Sequence, residues 1–316
     1  MRDCFIVNPY ITIIYYRDFW FLSEFRVEYQ RNMQHSPCEV EHLRLLAWRR
    51  NVMVNSNDYN RNLRFAELCD LSRELGKPEN DYVIQAEGNT SVRIDADTFW
   101  VKASGFSLRD VDENGFVAMC FDPVLELLDG PDLPDERLKM ALNAAKVDAS
   151  ISARPSIEVA LHALLLKLGN MQVIGHTHPS VWNSILCSVN VVEALGGRWF
   201  PEQVVVCGPH LLYVPYADPG LPLAREVRQR FLAFIDKYGE PPKEVLMQSH
   251  GLIALGQSCT EVERITAMSV KAARILLGTY ALGGPRFLSE HDVMHLWERP
   301  DEITRRARLI GNPIRS

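Results

Sequence analysis

The sequence predicts an α/β layered fold built on a substantially antiparallel or mixed sheet. Two observations carry that prediction. Short β-type runs are joined by tight polar turns, as where Thr90-Ser91-Val92-Arg93-Ile94 and Thr98-Phe99-Trp100-Val101 flank the acidic turn Asp95-Ala96-Asp97. These runs alternate with amphipathic helical stretches, which excludes an all-β chain. There is also no glycine-rich dinucleotide fingerprint and no phosphate-binding P-loop.

Composition narrows the function classes. A chain of 316 residues, 47% hydrophobic and 23% charged, can bury a sizeable core as one large domain or two ordinary ones. Lysine and arginine total 34 against 40 acidic residues, a net charge of −6. No global field therefore favours nucleic acid or an anionic membrane, and an anionic substrate needs a local cationic or N–H-rich site. The cysteines number 7 and form no C-x-x-C pair. That points to reduced thiols in a cytoplasmic protein. No apolar run reaches the roughly 18 residues of a membrane span.

Taken in order, residues 1–58 read as an N-terminal appendage, and 59–316 as the catalytic domain. Leu63, Phe65, Leu68, Leu71 and Leu75 lie on one helical face that ends at Gly76. Strands are expected near 87–94, 98–103 and 115–121, and further short ones at 124–128, 203–206 and 211–214. Pro155-Ser156-Ile157-Glu158 opens a helix to about Leu168, with Ser156 as N-cap and Glu158 in the first turn. Another helix covers 223–237. Thr260-Glu261-Val262-Glu263 reads as a capping box starting a helix to about Leu282, and a polar helix covers 289–308.

The chemistry gathers around Val173-Ile174-Gly175-His176-Thr177-His178-Pro179. Residues two apart in a strand share a face, so His176 and His178 aim at one point. Two converging imidazoles are half of a divalent-metal site, or else two half-exposed histidines beside a turn. His250, followed by Gly251, is the natural third ligand. Three imidazoles without a fourth protein ligand leave an open coordination position, as catalytic zinc sites do. Glu158, just before the histidine strand, is the acid/base candidate, although a first-turn glutamate also simply complements the helix dipole. His162 shares its helix face and either supports it or packs in the core. Gly88, Asn89, Ser104, Gly105 and Ser156 are small turn residues able to cradle a phosphate, or to make ordinary turns.

The ordered set Gly88-Asn89-x-Ser91, Ala103-Ser104-Gly105, Pro155-Ser156-x-Glu158-x-x-x-His162, His176-x-His178-Pro179 and Ser249-His250-Gly251-Leu252 resembles the class II aldolase/adducin family. The likeness is to its zinc-dependent fuculose/rhamnulose phosphate aldolase type, over about residues 63–282. That resemblance implies a central, mostly antiparallel sheet with helices on both faces. It implies Zn2+ or another divalent metal on His176, His178 and His250, with Glu158 shuttling the proton. Gly88, Asn89, Ser104, Gly105 and Ser156 would bind the substrate or its phosphate. The implied reaction is aldol cleavage or condensation of a ketose or ketose phosphate, in a homo-oligomer of tetramer type. Epimerase, decarboxylase and non-catalytic adducin-like readings share the scaffold. One departure stands out: Ile157 occupies the place of a second serine in many of these aldolases, which removes a hydrogen-bond donor.

Overall fold

The computed structural model describes residues 60–309, so the expected appendage over 1–58 lies outside the described residues. Helix α1 (60–75) ends at Gly76, as its apolar spacing predicts. Strands β1 (Asn89–Arg93), β2 (Thr98–Lys102) and β3 (Phe116–Cys120) follow, then helices α2 (Phe121–Asp129), α3 (Asp135–Ala144) and α4 (Val159–Leu168). Strand β4 (Val173–Thr177) leads into α5 (Ser180–Leu186), α6 (Val191–Ala194) and α7 (Pro201–Cys207). After β5 (Leu212–Val214) come α8 (Leu221–Tyr238), the hairpin β6 (Glu244–Met247) and β7 (Gly251–Gly256), and α9 (Cys259–Thr279). The described chain closes with α10 (Glu290–Glu298) and α11 (Pro300–Leu309). No helix among the described residues is long and apolar enough to cross a membrane.

The strands form one sheet in the order β3-β2-β1-β4-β7-β6-β5, antiparallel throughout except for the parallel β5–β6 edge. Alternation divides its side chains between two cores. Phe99, Val101, Ile174, Ile253 and Leu255 face one side, against Val124 of α2, Leu161 and Leu165 of α4 and Phe231 of α8. Trp100, Val173, Leu252 and Ala254 face the other, against Leu68 and Leu75 of α1, Trp182 of α5 and Val262 and Ile265 of α9. The expected three-layer arrangement is present. Each fully buried large apolar side chain stabilises it by roughly 1.5–3 kcal/mol.

Several expected elements take another form. Residues 124–128 are helix, not strand: Phe121, Val124 and Leu128 have helical spacing and bury one face, and Pro123 sits in the first turn, where a missing N–H costs little. Residues 203–206 are helical too, because Pro201 at the first helical position starts α7. The C-terminal helix is split at Pro300, and the residue before a proline disfavours helix. Helix α4 starts at Val159, so Glu158 is its N-cap rather than a first-turn residue, and Ser156 Oγ accepts from Glu158 N at 3.2 Å.

The capping box of α9 lies two residues earlier than expected. Ser258 is the N-cap and accepts from Glu261 N at 3.2 Å, while Glu261 Oε2 accepts from Gln257 N at 2.7 Å. Accordingly, Ser258→Ala should lower stability by about 0.5–2 kcal/mol. Thr260→Ala, at an exposed position, should stay within about 0.5 kcal/mol. Urea midpoints compare the two, and equal losses would put the cap elsewhere.

Candidate metal centre and acid/base site

Three adjacent strands build the site. Within the sheet His176 pairs with Asn89 of β1 on one side and Ile253 of β7 on the other. This register brings the β6–β7 turn, which carries His250, to the end of β4. The left-handed residue of this turn is Ser249, at φ 53°, and not Gly251. Gly251 is needed for proximity instead: a Cβ there would stand 2.4 Å from Thr177 O and 2.9 Å from His178 Cδ2. Gly88 (φ 65°) has the same role on the other flank, where a Cβ would stand 2.6 Å from His176 O.

The three imidazoles converge through their Nε2 atoms. His176 Nε2 lies 3.1 Å from that of His250 and 3.0 Å from that of His178. One ligand atom from each residue falls within 4.8 Å of the other two. His176 Nδ1 donates to Leu252 O at 3.0 Å, which assigns its proton and leaves the Nε2 lone pair facing the cluster. Burial pushes the His176 imidazole down to about 4. Burial, reinforced by His176, pushes His178 down to about 3. Both are neutral at pH 7. Converging neutral imidazole lone pairs fit a divalent cation, with a position left open for substrate.

Glu158 reaches the same point from the start of α4. Its Oε1 is 2.9 Å from His250 Nε2, and its Oε2 is 3.6 Å from His176 Nε2. Burial alone would raise this carboxyl. The adjoining His176 and His250 and the hydrogen bond from Asn89 outweigh that and hold it well below the usual carboxylate range.

Behind Glu158 runs a buried chain of polar groups whose donors can be assigned in turn. An ionised carboxylate only accepts, so Asn89 Nδ2 donates to Glu158 Oε2 at 2.7 Å. Asn89 Oδ1 then accepts from His162 Nε2. His162 Nδ1 is left to accept from Ser91 Oγ at 2.7 Å. Burial lowers His162 to about 4, consistent with this neutral tautomer. Asn89, expected from the sequence at the substrate or phosphate site, is thus also hydrogen-bonded to Glu158. His162, undecided between support and packing, holds Asn89. Its four-residue spacing from Glu158 was the signal.

The remaining expected substrate residues sit in loops that the fold draws together. Ala103 bridges to Pro155, and Ser104 N donates to Arg154 O at 2.9 Å, which sets Ser104 and Gly105 beside Ser156. Ile157 is half exposed. Two residues that sequence reasoning passed over belong here as well. Lys102 is buried at the end of β2, and Glu87 Oε1 lies 4.0 Å from His178 Nδ1. A lysine closing an apolar strand just before Ser-Gly was the available sign of the first.

The family model for the class II aldolase and adducin N-terminal domain matches residues 66–277. The chain belongs to the class II aldolase and adducin family. Among related proteins, an uncharacterized oxidoreductase, YuxG, of Bacillus subtilis (strain 168) is 29% identical over 54% of this chain and 23% of its own length. The chain thus spans about a quarter of that relative. Methylthioribulose-1-phosphate dehydratase of Bacillus pumilus (strain SAFR-032) is 25% identical over 65% of this chain and 87% of its own. The solved N-terminal class II aldolase domain of a conserved protein from Thermoplasma acidophilum superposes with a TM-score of 0.54. It is 26% identical and covers 67% of this chain and 92% of that one.

Two outcomes follow for this member of the family. His250→Ala should lower bound divalent metal, measured by elemental analysis, from stoichiometric to trace while leaving the far-UV circular dichroism unchanged; full retention would rule out the triad. For metal-free protein, stability should be greatest above about pH 6.5 and fall toward pH 4. Over that interval the unfolded chain takes up protons at His162, His176 and His178 that the folded chain refuses, with His162 contributing about 3 kcal/mol. His162→Gln should lessen this slope by the His162 share in urea titrations, and an unchanged slope would contradict the buried neutral tautomer.

Proposed function

We propose that the chain is a metal-dependent carbon–carbon lyase performing aldol cleavage or condensation of a ketose or ketose phosphate. The observation that supports it most is the placement of the ionised Glu158 carboxylate, 2.9 Å from His250 Nε2, at the point where the three imidazoles meet. His176, His178 and His250 would hold the metal, for which zinc is our assignment from the all-imidazole donor set. A bound divalent cation would supply Lewis-acid polarisation of a substrate carbonyl.

The chain's own groups do the rest. Glu158, kept anionic and aimed by Asn89, takes the proton from the carbon next to the carbonyl in the condensing direction and returns it in cleavage. His162 and Ser91 keep Asn89 in the orientation that donates to Glu158. Gly88, Asn89, Ser104, Gly105 and Ser156 would receive the far end of the substrate. We further propose a cytoplasmic homotetramer in which residues 1–58 are an appendage to the catalytic domain.

A second reading, dehydration of a ketose phosphate, is favoured by the similarity to methylthioribulose-1-phosphate dehydratase across 87% of that protein. Both readings start with removal of a proton beside a carbonyl. They diverge in whether a carbon–carbon bond breaks or water leaves. Incubation with ketose 1-phosphates separates them, since the lyase reading requires two shorter fragments and water loss with an intact carbon chain would refute it. Chelation should abolish turnover. Glu158→Gln should keep its metal and lose about 100-fold or more in kcat; turnover at the normal rate in that variant would remove Glu158 from the reaction.

A further inference from the structure

We propose that Glu87 is a positioning residue for His178: its carboxylate accepts the Nδ1 proton and so keeps the Nε2 lone pair turned toward the histidine cluster. This role depends on His176, His178 and His250 holding a metal, and not on which reaction follows. His176 has its Nδ1 acceptor within the sheet, Leu252 O at 3.0 Å. His178 stands one step past the end of β4, and among the described residues no hydrogen bond reaches its Nδ1. The group that faces this nitrogen is Glu87 Oε1, at 4.0 Å. That is about 1 Å beyond hydrogen-bond length. Glu87 Oε2 accepts from Ile84 N at 3.0 Å, and Glu87 N donates to Ile84 O at 3.1 Å. One oxygen is therefore held by the turn and the other is left for His178. Pivoting on Oε2 brings Oε1 to the imidazole without breaking the turn.

The placing of protons in the cluster calls for such an acceptor. A neutral imidazole carries one proton, on Nδ1 or on Nε2. His176 holds its own on Nδ1, which makes His176 Nε2 an acceptor 3.0 Å from His178 Nε2. That acceptor draws the His178 proton onto Nε2, the atom that a metal requires free. An oxygen on the Nδ1 side reverses the preference. Two acidic residues, Asp81 and Glu87, line the cavity of about 350 Å³ beside His178. Asp81 Oδ1 is taken by Ser180 Oγ at 3.0 Å, and of the two only Glu87 stands within ion-pair distance of the ring. Glu87 and Asn89 lie on either side of Gly88 in the chain. The short segment 84–89 thus sends one side chain toward a metal ligand and another to the acid/base carboxylate. Gly88, at φ 65°, turns the backbone between them.

Zinc affinity of the full-length protein, measured by competition with a chromophoric chelator, tests this without turnover. Glu87→Gln offers a single amide oxygen, which cannot accept from both Ile84 N and His178 Nδ1. It should weaken zinc binding about 10–100-fold. Asp81→Asn removes the same charge from the same cavity and should weaken binding by less than about threefold. In the zinc-loaded wild type the His178 Nδ1 proton should give a resolved, downfield NMR signal, which Glu87→Gln should lose to exchange with solvent. Wild-type affinity in Glu87→Gln, or no such signal in the wild type, would overturn the proposal. An equal loss in Asp81→Asn would make the effect one of charge alone and overturn it as well. Loss of metal in His250→Ala beside wild-type affinity in Glu87→Gln would leave the triad standing and remove Glu87. Protein that meets every expectation for Glu87 yet cleaves no ketose would count against the lyase reading alone.

Discussion

The site depends above all on the register of three central strands. β4 is hydrogen-bonded to β1 on one side and β7 on the other, with His176 opposite both Asn89 and Ile253. That pairing places the residue orienting the carboxylate, one imidazole and the turn holding another within a few ångströms of one another. A slip of one residue in a strand exchanges its two faces. In β4 it would send His176 toward the opposite core and bring Ile174 out of its own. Burial of apolar side chains on both faces of the sheet thus secures the geometry of the polar centre, and glycines at 88 and 251 allow backbone and side chains to approach closely enough to complete it.

Protonation states follow from the same burial. Desolvation keeps His162, His176 and His178 neutral, and neutral imidazole is the form that donates a lone pair to a metal. Glu158 remains ionised despite being buried because His176 and His250 adjoin it and Asn89 donates to it. The Ser91–His162–Asn89 chain ends at this carboxylate with every donor matched to an acceptor. A buried network of this kind restricts the carboxylate to one orientation, which an acid/base group needs more than it needs an unusual affinity for protons. A second buried network, Arg198 Nη1 with Glu244 Oε1 at 2.6 Å and Ser269 Oγ donating to Glu244 Oε2 at 2.6 Å, ties β6 to α9 and steadies the hairpin that carries His250.

Local sequence failed where two kinds of structure share one pattern. Val124 to Leu128 and Gln203 to Val206 are short apolar runs, and periodicity over four or five residues does not separate strand from helix. The prolines at 123 and 201 carried the missing information, because each occupies a first-turn position that a helix tolerates. The cap of α9 was misplaced since Thr260–Glu263 and Ser258–Glu261 both satisfy the capping spacing. Only the backbone at Ser258, extended at φ −149°, decides between them. That Asn89 also donates to Glu158 was not legible, because Glu158 is distant in sequence.

What the sequence by itself determined was the layered α/β class, the histidine pair with its third member, and the carboxylate beside them. Alternation in strands, side-chain chemistry and the order of motifs are local properties, and local properties survive reading in one dimension. Tertiary structure decided what each polar group faces. That His162 supports rather than merely packs, that Asn89 is engaged by Glu158, and that Glu87 faces His178 Nδ1 all rest on contacts between residues that are far apart in the chain or buried where their surroundings assign donor and acceptor. Burial also set the protonation states, since desolvation belongs to the packed molecule and not to any segment of it.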